Sequence, residues 1–193
     1  MKLTHTATAP WPAAASAQPA YTRVAVTLHW LIGFLIFMNF GLGLSMETFP
    51  KHTLQNDTLL FFHASTGSLI FMLAVARLLW RMTHRPLPLP ASVVSWQVTA
   101  SHVLHWTLYV LMLAVPLSGY VHRLAGAHPV NFFGLGVLPV FVGKNEPLRL
   151  ITDTLHEALV WVLALLVLGH LAAALKHRFI DRDGVLGRML RWG

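Results

Sequence analysis

Six histidines fall inside stretches of otherwise apolar sequence: His29, His63, His102, His105, His156 and His170. The tripeptide LHW occurs at 28–30 and again at 104–106, and LH recurs at 155–156. Imidazole is the commonest metal ligand among side chains and the one that most readily exchanges a proton near neutral pH. The chain has no cysteine in its 193 residues. Disulfides, thiolate-bound zinc, iron–sulfur clusters and thioether-attached cofactors are therefore excluded. Any metal chemistry has to use His, Met or carboxylate.

The elements that carry these histidines are membrane spans. Hydrophobic residues make up 55% of the chain and charged residues 11%, against about 25% charged in an ordinary soluble domain. The mean hydropathy is +0.60. Four stretches, 24–46, 58–80, 98–121 and 151–175, reach the length of about 20 apolar residues that a crossing helix needs. Lipid forces each span to close its own backbone hydrogen bonds, which predicts helices. The fold expected is an all-α membrane protein, a four-helix transmembrane bundle over residues 23–193. Residues 1–22, rich in Ala, Pro and Thr, read as a weakly ordered tail and make a poor signal peptide.

Charge sets the expected orientation. With four spans, both termini and the 81–97 connection share one side. That side holds Lys2, Arg23, Arg81, Arg85, Lys176, Arg178, Arg182, Arg188 and Arg191, with Arg77 just inside it; the other side holds Lys51, Arg123, Lys144 and Arg149. The excess of Lys and Arg places both termini in the cytoplasm. Topology and anionic lipid account for the net charge of +7, so no nucleic-acid partner is inferred. The 81–97 connection is proline-rich and reads as an extended linker. The 122–150 connection is apolar and aromatic, and is expected to lie in the interface or fold over the bundle.

One intramembrane histidine often does no more than hydrogen-bond to a neighbouring helix; these form layers. His29, His102, His105 and His170 lie toward the inner ends of their spans, and His63 and His156 toward the outer ends. His156 and His170 are 14 residues apart, which brings them back to within roughly 40° of one helix face and separates them by about 21 Å. One face of the fourth span thus offers an imidazole to each layer. Two b-type haems, each held by two histidines and stacked across the membrane, fit this pattern, because helix bundles build cofactor sites from facing side chains. Arg77 is placed to meet an inner propionate, or equally to snorkel at its helix end. Depth alone leaves His29 and His105 as alternative inner ligands. Small residues (Gly33, Ala64, Ser65, Gly67, Gly169) offer a shallow surface to a flat ring, or close contact to another helix.

The segments RVAVTLHWLIG, FHASTGSLIFMLAVARLLWR, HVLHWTLYVLMLAVPLSGYV and LHEAL with LGHLAAALKHRF resemble the bacterial cytochrome b561 family, over about Tyr21 to Leu190. The resemblance implies a dihaem, electron-carrying membrane oxidoreductase. It implies that His29 and His170 bind the iron of the inner haem and His63 and His156 that of the outer one. His102 and His105 would then be neighbouring groups or part of a quinone site. The activity implied is a superoxide oxidase, passing electrons from superoxide at the outer face to ubiquinone. The alternative is a haem-b anchor that relays electrons for a larger periplasmic oxidoreductase such as a hydrogenase or formate dehydrogenase. A His-lined transporter would need carboxylates within the membrane, and only Asp153 and Glu157 lie in a span.

Overall fold

The computed structural model describes residues 21–84, 87–90 and 93–190. The expected tail therefore lies almost wholly outside the described residues, as do Arg85 and Arg191. Four long helices dominate: α1 (Arg23–Met46), α2 (Leu54–Thr83), α3 (Ser95–Ala125) and α4 (Glu146–Lys176). All four are long and apolar enough to cross a membrane. A single π-helical turn, His177–Asp181, follows α4, and a short helix α5 (Gly187–Leu190) ends the described chain. We label the end where α1 begins and α4 finishes the inner end, and the opposite end outer.

The helices run past the apolar stretches because polar residues cap them. Thr53 Oγ1 accepts from Asn56 N at 3.3 Å and starts α2 four residues before its apolar run. Asn145 Oδ1 accepts from Leu148 N at 3.0 Å and starts α4, while Asn145 N donates to Ala125 O at 2.9 Å and ties that start to the end of α3. Each bond satisfies an amide or carbonyl that the helix itself leaves unpaired. Pro116 lies inside α3, which stays one helix through it.

Packing is uneven. The extensive helix contacts are α3 with α4, α1 with α2, and α2 with α3; α4 makes no comparable contact with α1 or α2. The core is correspondingly thin. One cluster joins Ile32, Ala74, Tyr109 and Met112 across α1, α2 and α3. A second joins Leu108, Leu111 and Val115 of α3 to Leu163 of α4. Only Thr152 and Leu163 of α4 are buried.

The inner end is tied together by indole donors. Trp30 Nε1 donates to Met189 O at 2.8 Å, which brings α5 back against α1. Trp80 Nε1 donates to Thr22 Oγ1 at 3.1 Å. Arg188 Nη1 donates to Pro88 O at 2.6 Å, pinning α5 to the α2–α3 connection. These tryptophans thus act as anchors with a specific bond, not merely as interfacial rings.

At the outer end the α3–α4 connection folds onto α2. Asn131 and Val137 pair antiparallel, Phe132 N donates to Gly136 O at 2.8 Å, and Leu138 N to Val130 O at 2.9 Å. Ser65, fully buried on α2, holds this tight loop from below. Its Oγ donates to Asn131 O at 2.9 Å and accepts from Phe133 N at 3.1 Å. The tip turns through Phe133, Gly134 and Gly136, all at positive φ, with glycine where a side chain would be strained. Leu135, Val137, Val140 and Phe141 stay exposed, an apolar rim suited to the headgroup region. Replacing Ser65 by Ala removes both loop bonds, and should cost about 1–3 kcal/mol. Faster amide exchange at Asn131–Phe133, with α2 itself unchanged, is the expected result.

Candidate functional site

The structure brings five imidazoles into two clusters on the bundle axis. At the outer end, His63 of α2 and His156 of α4 have ring centroids 6.2 Å apart, at 88° to one another. At the inner end, His29 of α1 and His170 of α4 are 6.0 Å apart at 76°. His105 of α3 lies 5.3 Å from His170 at 74°. His102, one turn before His105, is exposed and joins neither cluster. All members of both clusters are partly buried, and each cluster joins α4 to a helix with which it packs little, α2 at the outer end and α1 at the inner.

The second nitrogen of each outer ring is taken by backbone. His63 Nδ1 lies 3.1 Å from Asn39 O of α1. His156 Nδ1 lies 2.9 Å from Val115 O of α3 and 3.1 Å from Ser118 Oγ. A carbonyl only accepts, so the proton sits on Nδ1 and the Nε2 lone pair is left for a ligand. This is the usual second contact of a metal-binding histidine. Two imidazoles facing each other through one metal, at about 2.0–2.1 Å per bond, have centroids roughly 6 Å apart. Both cross-helix pairs meet that spacing. His105–His170 is tighter.

Two glycines that sequence reading passed over make room for the outer rings. A Cβ at Gly119 would stand 2.9 Å from His156 Cε1, and one at Gly43 would stand 3.3 Å from His63 Cε1. A small residue beside Pro116 in an apolar span was the available signal for Gly119. Of the small residues singled out from sequence, Gly33 and Gly169 face open space, and Gly67 faces Asn39. Ser65 serves the outer loop rather than a ring.

The inner cluster has cations instead of carbonyls. Arg77 turns inward: Nη1 donates to Ala25 O at 2.7 Å and Nη2 lies 3.3 Å from His29 Nδ1, the longest contact made by any clustered imidazole. His105 Nδ1 lies 3.2 Å from Ser101 Oγ. Arg81 stands over Trp106 and Tyr109, 5.5 Å from each ring centre. Arg188 Nε is buried with no hydrogen-bond partner. Burial pushes the Tyr21 phenol above its ordinary value, while nearby Arg188, Arg81 and Arg77 pull it back. Arg77 and Arg188 spend one donor each on a backbone carbonyl and Arg81 faces aromatic rings, which leaves donors for an anion such as a porphyrin carboxylate. Imidazole pairs at the right spacing, the free Nε2 atoms of the outer pair, the sparse packing of α4 against α1 and α2, and the inner cations together fit a haem-type group.

Comparison with known proteins agrees with this chemistry. The family described as "Prokaryotic cytochrome b561" matches residues 20–192. Among similar proteins, "Cytochrome b561 homolog 2" of Escherichia coli (strain K12) is 33% identical over 171 residues, 88% of this chain and 90% of that protein. "Cytochrome b561 homolog 1" of the same organism is 25% identical over 174 residues, covering 88% and 96%. "Probable superoxide oxidase CybB" of Yersinia pestis is 27% identical over 173 residues, covering 88% and 95%.

The glycine contact is open to a direct check. Gly119→Ala should drive the His156 ring off Val115 O and weaken metal-porphyrin binding by that ring roughly 10- to 100-fold. Transfer of haem to an excess of an apo-globin, followed by absorbance, measures the change; an unchanged rate would mean that the ring does not hold iron.

Proposed function

Because this chain belongs to the prokaryotic cytochrome b561 family, whose members move electrons in membranes with b-type haem, we propose that it carries electrons between an outer-face donor and a quinone through two haems. The observation that carries this reading is the pair of cross-helix imidazole couples, at 6.2 and 6.0 Å. They sit at opposite ends of α4, about 21 Å apart by helical rise.

His63 and His156 hold the outer haem and His29 and His170 the inner one. The haem, when bound, supplies reversible one-electron transfer at iron. Asn39 O and Val115 O keep the Nδ1 proton on the outer ligands, fix their ring planes and raise their basicity. Were His29 to hold the inner haem through Nε2, its proton would lie on Nδ1, and Arg77, only a donor, would exchange its 3.3 Å contact for a propionate. His105, at 5.3 Å from His170, would stand near that haem and, with Trp106 and Tyr109, would line a quinone site.

The donor proposed is superoxide, the substrate in the name of the Yersinia pestis relative. Two superoxide ions each lose one electron to give two dioxygen molecules; one ubiquinone gains both electrons and two protons to give ubiquinol. Lys51, Arg123, Lys144 and Arg149 at the outer end raise the local concentration of an anion, so the rate should fall as salt rises. Both termini lie in the cytoplasm of the inner membrane: among described residues the inner end carries Arg23, Arg81, Lys176, Arg178, Arg182 and Arg188, against four cations outside.

Two measurements test this. Reduced-minus-oxidised spectra of His29, His63, His156 and His170 alanine variants should each lose about half the haem signal, while His105→Ala keeps it. Loss in His105→Ala with retention in His29→Ala would reverse the inner assignment. Anaerobic superoxide pulses should reduce the haem of purified protein; haem that stays oxidised would rule out superoxide as donor.

A further inference from the structure

A cavity of about 360 Å³ opens at the outer end, lined by His122, Arg123, Gly126, His128, Lys144, Glu146 and Arg149. Its volume is in the range of small-molecule sites. Its charge is unbalanced. Arg149 is occupied by Glu146, through Nε to Oε2 at 2.8 Å and Nη2 to Oε1 at 2.6 Å. His122 Nδ1 is 3.1 Å from Arg149 O and 3.7 Å from Asp153. Arg123 has no such partner. Its Nε is buried without a hydrogen bond, and Asp57, the acidic group that influences it, forms no ion pair with it among the described residues. Lys144 is exposed beside it.

A buried guanidinium donor without an acceptor is costly. That nitrogen is itself closed to solvent, but the Arg123 side chain also lines the cavity, where an acceptor for the rest of the guanidinium has room to bind. The geometry points to an oxyanion site: Arg123 and Lys144 hold a phosphate or carboxylate group in this cavity, with Gly126 as its wall. A Cβ at Gly126 would already stand 3.3 Å from both Arg149 Cδ and His128 Cδ2, so any larger residue narrows the space. A planar guanidinium recognises such a group through paired N–H donors.

The position gives the site a consequence. Arg123 is five residues beyond Ser118, which contacts His156, a rise of about 7.5 Å. Taking superoxide as the outer donor, which rests on the reading above, an oxyanion in this cavity sits on the donor's approach and competes with it.

The probe is inorganic phosphate, added to delipidated, haem-loaded protein in non-ionic detergent with ionic strength held constant by chloride. A saturable rise in Tm is expected. It should weaken at least tenfold in apparent affinity in Arg123→Gln, weaken less in the exposed Lys144→Gln, and stay unchanged in Lys51→Gln, a cation outside the cavity. A short-chain phosphatidylglycerol forms a second arm: an Arg123-dependent shift with this lipid, but not with phosphate, identifies the oxyanion as a headgroup and upholds the site. No shift in either arm, or one that Arg123→Gln and Lys144→Gln both leave intact, overturns it. Phosphate binding without haem reduction by superoxide sinks only the donor assignment; haem reduction without oxyanion binding sinks only this site.

Discussion

An imidazole in a membrane has two nitrogens to satisfy and no water with which to do it. That constraint organises this molecule. At His63 and His156 one nitrogen is bonded to a backbone carbonyl of another helix, Asn39 O and Val115 O. The choice of a carbonyl, which can only accept, decides which nitrogen keeps its proton. It also ties α1 to α2 and α3 to α4 at the depth where each ring must point across the bundle. A bond that looks like ordinary polar bookkeeping inside lipid is therefore the device that aims the ring.

The two ends solve the same problem with different chemistry. The outer rings rest on carbonyls and are crowded by glycines. The inner rings lie near Arg77 and Arg81, the first of which reaches His29 directly. Carbonyls hold a ring in place and raise its electron-donating power, whereas guanidiniums stabilise added negative charge. Were redox centres held at both ends, an unequal setting of this kind would bias the resting place of an electron toward the cationic end.

Much of this was legible in the sequence, for physical reasons. Hydropathy and length specify four spans because lipid leaves the backbone no alternative. The 14-residue spacing of His156 and His170 reads directly as two depths on one face. The apolar 122–150 connection betrays a fold-back, and Ser65 of α2 turns out to hold it. Other features were not legible. No periodicity distinguishes His29 from His105, since both lie at the same depth and the structure sets both beside His170. Val115 and Asn39 act through backbone atoms that every residue possesses, so their identity carries no signal. Gly43 and Gly119 matter through what they lack, and only the approach of a neighbouring ring reveals it. Arg188 reaches Pro88 O at the inner end because α5 doubles back, a tertiary event that local sequence does not announce.

The thinness of the core has a consequence for biogenesis. Only Thr152 and Leu163 of α4 are buried, and that helix packs extensively against α3 but meets α1 and α2 through a few ring contacts. A helix so poorly supported by side chains needs some other body to pack against on its remaining face. If that body is the prosthetic group, pigment delivery and completion of the fold are one event, and the last helix waits in the bilayer until its metal arrives. Polypeptide made faster than porphyrin would linger with a loose fourth helix, open to membrane proteases, so that the supply of the cofactor sets the abundance of the protein.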